Sequence, residues 1–101
     1  MNYYVIGDSS TVMGFQLAGV SGEPVEDPSH AEDALRAAAE DPNIGILMVT
    51  ERIAEENRSV IQDIHARETG PVVVEIPGPE GTLPGRRNLI DLIQEALGIR
   101  L

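Results

Sequence analysis

The chain has no cysteine and no lysine, and its aromatic residues make up only 3% of it. Without cysteine there is no disulfide framework, no thiolate nucleophile and no cysteine metal site. Without lysine, Schiff-base chemistry and the phosphate-binding lysine of a P-loop are both excluded. The aromatics are Tyr3, Tyr4 and Phe15, none in a loop, so little is available to stack on an isoalloxazine ring. No apolar run approaches the ~18 residues of a membrane span, and the N-terminus lacks the basic and apolar regions of a secretory signal. These absences read as a cytoplasmic chain without direct membrane insertion.

What is present is a chain of 101 residues with 42% hydrophobic content, enough for one domain with one modest core. The formal charge is −10, from 17 acidic residues against 7 bases, all arginine. Such a surface repels nucleic acid and anionic lipid. The charge serves either solubility or docking to a basic partner surface, and composition does not separate the two.

The chain is organised around residues 3–20, YYVIGDSSTVMGFQLAGV. Residues 3–6 form an unbroken run of β-formers, the pattern of a strand covered on both faces. Gly7 and Asp8 end it. Ser9, Ser10 and Thr11 offer hydroxyl caps for a helix carrying Val12, Met13, Phe15, Leu17 and Ala18, with Gly19 as a left-handed C-terminal residue. At ~100° per residue, Phe15 lies roughly opposite Met13, so one sheet cannot bury both. Between them stands Gly14, a residue that costs about 1 kcal/mol relative to Ala in a helix interior and lets another backbone come close. The helix therefore reads as having two packing faces, one for its sheet and one for a partner.

Residues 20–26 contain Gly22 and Pro24 and read as a weak edge strand. Ser29-His30-Ala31-Glu32 matches a capping box, followed by Ala31, Ala34, Leu35 and Ala38 at helical spacing until Asp41-Pro42. Residues 44–49, IGILMV, have no polar side chain to place in water and belong at the sheet centre. Residues 51–68 read as one amphipathic helix, with Ile53, Val60, Ile61 and Ile64 on a stripe that Asn57 interrupts. Gly70-Pro71 breaks it, and residues 72–76 form a fourth strand ending at Pro77. The Gly/Pro-dense run GPEGTLPG follows, then a last helix over 88–97 carrying Leu89, Ile93 and Ala96 on one line and Ile90 and Leu97 on another.

Strand and helix alternate four times. The fold expected is α/β: a single small doubly wound sheet of four mainly parallel strands in the order 2-1-3-4, receiver-like or Rossmann-like, with a C-terminal helix after the Gly/Pro-rich loop. The expected units are a core over 1–77, a hinge loop over 78–86, and a C-terminal helix and tail over 87–101.

Ligands of such sheets sit beyond the carboxyl ends of the strands, here lined by Gly7, Asp8, Ser9, Ser10, Thr50 and Glu51. A phosphoacceptor receiver needs an acceptor Asp after the third strand and a lysine after the fourth. Thr50 stands in the first place, and lysine is absent. A flavodoxin-like module would hold phosphate on the hydroxyls of residues 9–11 at a helix N-terminus, but Asp8 opposes a dianion there, and simple helix capping explains the same residues. His30 and His65 have no ligand spacing around them, and no serine sits in a G-x-S-x-G elbow. No catalytic, cofactor-binding or metal-ligating residues emerge, so the chain reads as one without an active site of its own.

The segment VIGDSSTVMGFQLAGV resembles the start of the F subunit of V-type and A-type ATP synthases, with Thr11, Gly14, Phe15, Leu17, Ala18 and Gly19 matching a T-x-x-G-F-x-L-A-G run. IGILMVTERIAEENRSVI and PVVVEIPGPEG resemble later segments of that family, in the same order. The resemblance implies a non-catalytic central-stalk component of a rotary ATPase. Its implied partners are the coiled coil of the D subunit, the A3B3 catalytic headpiece and the C subunit of the stalk on the membrane side. It also implies a peripheral place in the V1/A1 sector, no cofactor, and a role in coupling or modulating ATP hydrolysis or synthesis with ion transport. The partner interface is expected on Val12, Gly14 and Phe15, with Leu89, Ile93 and Leu97 of the last helix and Arg58 as an ionic contact. The chain ends soon after Gly98, which limits any reach of that helix. The alternative is a stand-alone receiver-like or flavodoxin-like regulatory module.

Overall fold

Four parallel strands pair in the order β2-β1-β3-β4, with β1 over Asn2–Gly7, β2 over Ser21–Pro24, β3 over Ile44–Thr50 and β4 over Val72–Ile76. The order is the expected one. The computed structural model describes residues 2–79 and 81. The last helix anticipated over 88–97, and most of the hinge loop, lie outside the described residues. β3 pairs with both β1 and β4, so the most apolar run does occupy the middle of the sheet.

The two faces of the sheet are covered unequally among the described residues. Helices α2 (Glu32–Glu40), α3 (Glu51–Glu56) and α4 (Arg58–His65) lie on one face, where Ile6, Leu47 and Val49 meet Leu35, Ile53, Ile61 and Ile64. On the other face α1 (Ser9–Leu17) lies against β1 and β2. Its smaller cluster holds Val5, Val12 and Ile76, with Phe15, Val20, Met48 and Val74 packed around them. Strand alternation makes this division, since successive side chains of β1 and β4 point to opposite faces. Tyr3, expected to be covered, is 53% exposed at the outer end of β1.

Helix α1 ends as its sequence requires. Val20 N–H donates to the Phe15 carbonyl at 2.9 Å and Gly19 N–H to that of Gln16 at 3.0 Å, with Gly19 at φ +90°. This is a Schellman closure, and the half-buried Phe15 and Val20 at its two ends both pack against the Val5, Val12 and Ile76 cluster. The closure feeds the chain directly into β2, which Gly22 allows to lie close. A Cβ there would stand 2.5 Å from both Val5 Cγ1 and the Val5 carbonyl.

Two local expectations are corrected. The capping box at Ser29–Glu32 does not form. Asp27 accepts from both the amide and the hydroxyl of Ser29, and residues 28–30 make a 3-10 turn, leaving α2 to begin at Glu32 without a side-chain cap. The single helix expected over 51–68 is two helices, broken at Asn57 with φ −128° and ψ 37°. The Asn57 backbone amide bonds the Ala54 carbonyl, while its side-chain amide donates to the Ile53 carbonyl at 2.8 Å and to the Pro28 carbonyl at 2.7 Å. A buried amide thus ties the helix break to the turn before α2.

Candidate interaction surface

The crevice beyond the strand ends exists, about 260 Å³ in size, and is lined by Asp8, Val25, Glu26, Thr50, Arg52 and Ile53 among others. Its polar groups are committed to the fold. Asp8 caps α1, accepting from the Thr11 amide at 3.1 Å, the Thr11 hydroxyl at 2.7 Å and the Ser10 hydroxyl at 2.7 Å. Burial pushes the Asp8 carboxyl up, but these donors together outweigh it and hold the carboxyl below its ordinary value. Ser9 gives its amide and its hydroxyl to the Glu26 carboxylate. A phosphate placed at the α1 N-terminus would therefore meet two carboxylates, and the hydroxyls that a flavodoxin-like site would use are already donating. Glu51, expected to line the crevice, is buried in the first turn of α3. Among the described residues, no three His, Asp or Glu side chains converge as a metal site would require.

The outer face of α1 is different in kind. Ser10, Met13, Gly14 and Leu17 fall at i, i+3, i+4 and i+7, which places them on one line along the helix. Met13 is 60% exposed and Leu17 86% exposed. No charged residue lies anywhere in SSTVMGFQL, although the chain carries a net charge of −10. On the same sheet face a row of apolar side chains, Tyr3, Ile46 and Val72, runs across β1, β3 and β4, and Val72 is 64% exposed.

The interface residues expected from sequence divide accordingly. Gly14 is exposed on this face. Phe15 is half-buried, shared between the small core and the surface. Val12 is corrected: at 1% exposure it is core, packed with Val5 and Ile76 beneath the helix, and not surface. Arg58 has its charge answered within the chain, by Glu75 at 3.0 Å and Glu55 at 3.3 Å, at the head of a helix on the opposite sheet face. Leu89, Ile93 and Leu97 lie outside the described residues. Met13 and Leu17, exposed on this face, are not among the residues expected from sequence. The signal was there, since four residues at ~100° each carry Leu17 to within about 40° of Met13.

The sequence pattern of the ATP synthase (F/14-kDa) subunit matches residues 4–93. The A-type ATP synthase F subunit of Methanothermobacter thermautotrophicus is 38% identical, over 99% of this chain and 95% of its own. That of Pyrococcus furiosus is 34% identical over 100% and 98%, and that of Methanocaldococcus jannaschii 33% over 100% and 99%.

Proposed function

The chain belongs to the family of ATP synthase F subunits, and from that premise we propose that it is a non-catalytic central-stalk component of a V/A-type rotary ATPase that binds the coiled coil of the D subunit. In this reading it turns with the shaft inside the A3B3 headpiece, near the C subunit on the membrane side. It couples or modulates ATP hydrolysis and synthesis with ion transport, from a peripheral place in the V1/A1 sector. No helix among the described residues is long and apolar enough to cross a membrane, and the proposed role requires none.

One observation carries the reading: α1 presents Met13 and Leu17 outward on a helix that already fills its own small core. Burying a Met or Leu side chain is worth about 1.5–3 kcal/mol, so an acidic chain leaving two of them out in one stripe forgoes stabilisation that a partner can supply. The function is mechanical, so the crevice need not hold a ligand, and its polar groups are free to act as helix caps.

The test is co-expression with the D subunit of the same complex, followed by determination of the mass of the purified species. A stable one-to-one heterodimer is expected. A chain that purifies as a monomer indifferent to that partner would overturn the assignment. Phe15→Asp is a poor disrupting variant, because Phe15 also packs against the Val5, Val12 and Ile76 cluster and its loss would damage the fold as well as the surface.

A further inference from the structure

Four consecutive residues after β2 are each anchored, and three of the anchors lie on different elements. The Val25 amide donates to the Gly7 carbonyl at the end of β1 at 2.7 Å. The Glu26 carboxylate accepts from the Ser9 hydroxyl and, at 2.8 Å, from the Ser9 amide at the head of α1. Asp27 closes the 3-10 turn over Pro28–His30, and the Pro28 carbonyl takes the Asn57 side-chain amide at 2.7 Å. The segment thereby bridges the two sides of the sheet. Its Glu26 reaches α1 on one face, while Val25 packs with the cluster under α2, α3 and α4 on the other.

We infer that residues 25–28 are a stiff strap that couples the N-terminus of α1 to the α3–α4 break at Asn57, so that a displacement of α1 is felt by the helices across the sheet. Stiffness follows from the sequence PVEDP over residues 24–28. Proline fixes φ at both ends and confines the residue before it to extended backbone, as Asp27 shows at φ −98° and ψ 109°. No glycine stands in the run to absorb a shift. At the far anchor the helix is already broken, and the Asn57 amide divides itself between Pro28 and the Ile53 carbonyl at 2.8 Å. When the strap moves, the Pro28 acceptor moves with it and the break loosens. The coupling is a property of the free chain, so its failure would leave the shaft role standing.

The experiment follows hydrogen exchange of the Asn57 side-chain amide by nuclear magnetic resonance in the full chain, for wild type, Glu26→Ala, Glu26→Gln and Asp8→Ala. Backbone amides of β3, at the sheet centre, report global opening in the same spectra. Glu26 is exposed and touches α1, not Asn57. Its replacement by alanine should nonetheless speed exchange at Asn57 about tenfold beyond any change in β3. Glu26→Gln keeps an acceptor for Ser9 and should stay near wild type. Asp8→Ala weakens the same end of α1 without removing a strap anchor, so exchange at Asn57 should stay within about twofold of wild type once β3 is allowed for. An Asn57 amide that ignores Glu26→Ala, or that changes only in step with β3, would overturn the strap. Equal responses to Asp8→Ala and Glu26→Ala would overturn it too, since fraying of α1 would then suffice.

Discussion

Replacing Asn57 by alanine should lower stability by about 2–3 kcal/mol. The side chain is 7% exposed and its amide nitrogen serves two carbonyls, Pro28 at 2.7 Å and Ile53 at 2.8 Å. Each neutral hydrogen bond contributes about 1 kcal/mol net, and a carbonyl left without its donor away from water adds a penalty of similar size. The Ile53 carbonyl has no easy substitute, because the backbone amide of residue 57, its usual helical donor, is engaged by Ala54. At roughly 4–8 °C per kcal/mol for a domain of this size, the midpoint should fall by about 10–20 °C. Urea titration followed by far-ultraviolet circular dichroism measures the difference. Asn57→Asp sharpens the test. It keeps the shape but turns an acceptor, in place of a donor, toward two carbonyl oxygens, so at neutral pH it should cost more than alanine and recover partly as the carboxyl protonates. If Asn57→Ala unfolds within about 0.5 kcal/mol of wild type, the amide does not tie the helix break to the turn at Pro28 and the reasoning is wrong.

The Asp8 cap makes two further predictions. Asp8→Ala should cost about 1 kcal/mol, the usual value of an N-cap side chain, read as a fall in the same denaturation midpoint. Because the folded carboxyl sits below its ordinary value of 3.8, its contribution is fully present above that value and is lost as pH falls through the lower, folded value. Asp8→Asn, an equally good cap residue, should therefore match wild type near neutrality and lose less stability on acidification; identical acid limbs would refute this.

Much of the architecture was readable because it rests on features local in sequence. The run at Ile44–Val49 has nowhere to go but a sheet centre, and Gly19 and Asp41-Pro42 end their helices by backbone chemistry that needs no distant partner. The errors came where a distant or competing group decides. Asn57 interrupts the apolar stripe, but the period resumes at Val60 and Ile61, so the stripe alone does not reveal a break fixed by a carbonyl 29 residues away. Ser29 matches a capping box, but Asp27 captures its amide and hydroxyl first.

The outward face of α1 was partly legible for a related reason. Helix α1 is uncharged and carries apolar side chains on more than one side, so its two-faced character shows in sequence while its rotation does not. Packing alone puts Val12 inward against Val5 and Ile76, and Met13 and Leu17 outward. Arg58 looked available because Glu75, its nearest counter-charge, follows 17 residues later on a different element.

The claim on which the account turns is that the exposed line of α1 is gripped by another chain. Its most direct test is the affinity for the D subunit of Leu17→Asp beside that of Ala37→Asp, a matched change at an exposed position of α2 on the far face. Both variants should fold as wild type does, since neither side chain is buried. The account predicts that Leu17→Asp loses binding by about a hundredfold or more, as a charge forced into an apolar contact would, while Ala37→Asp binds as wild type. Equal binding by both would contradict it.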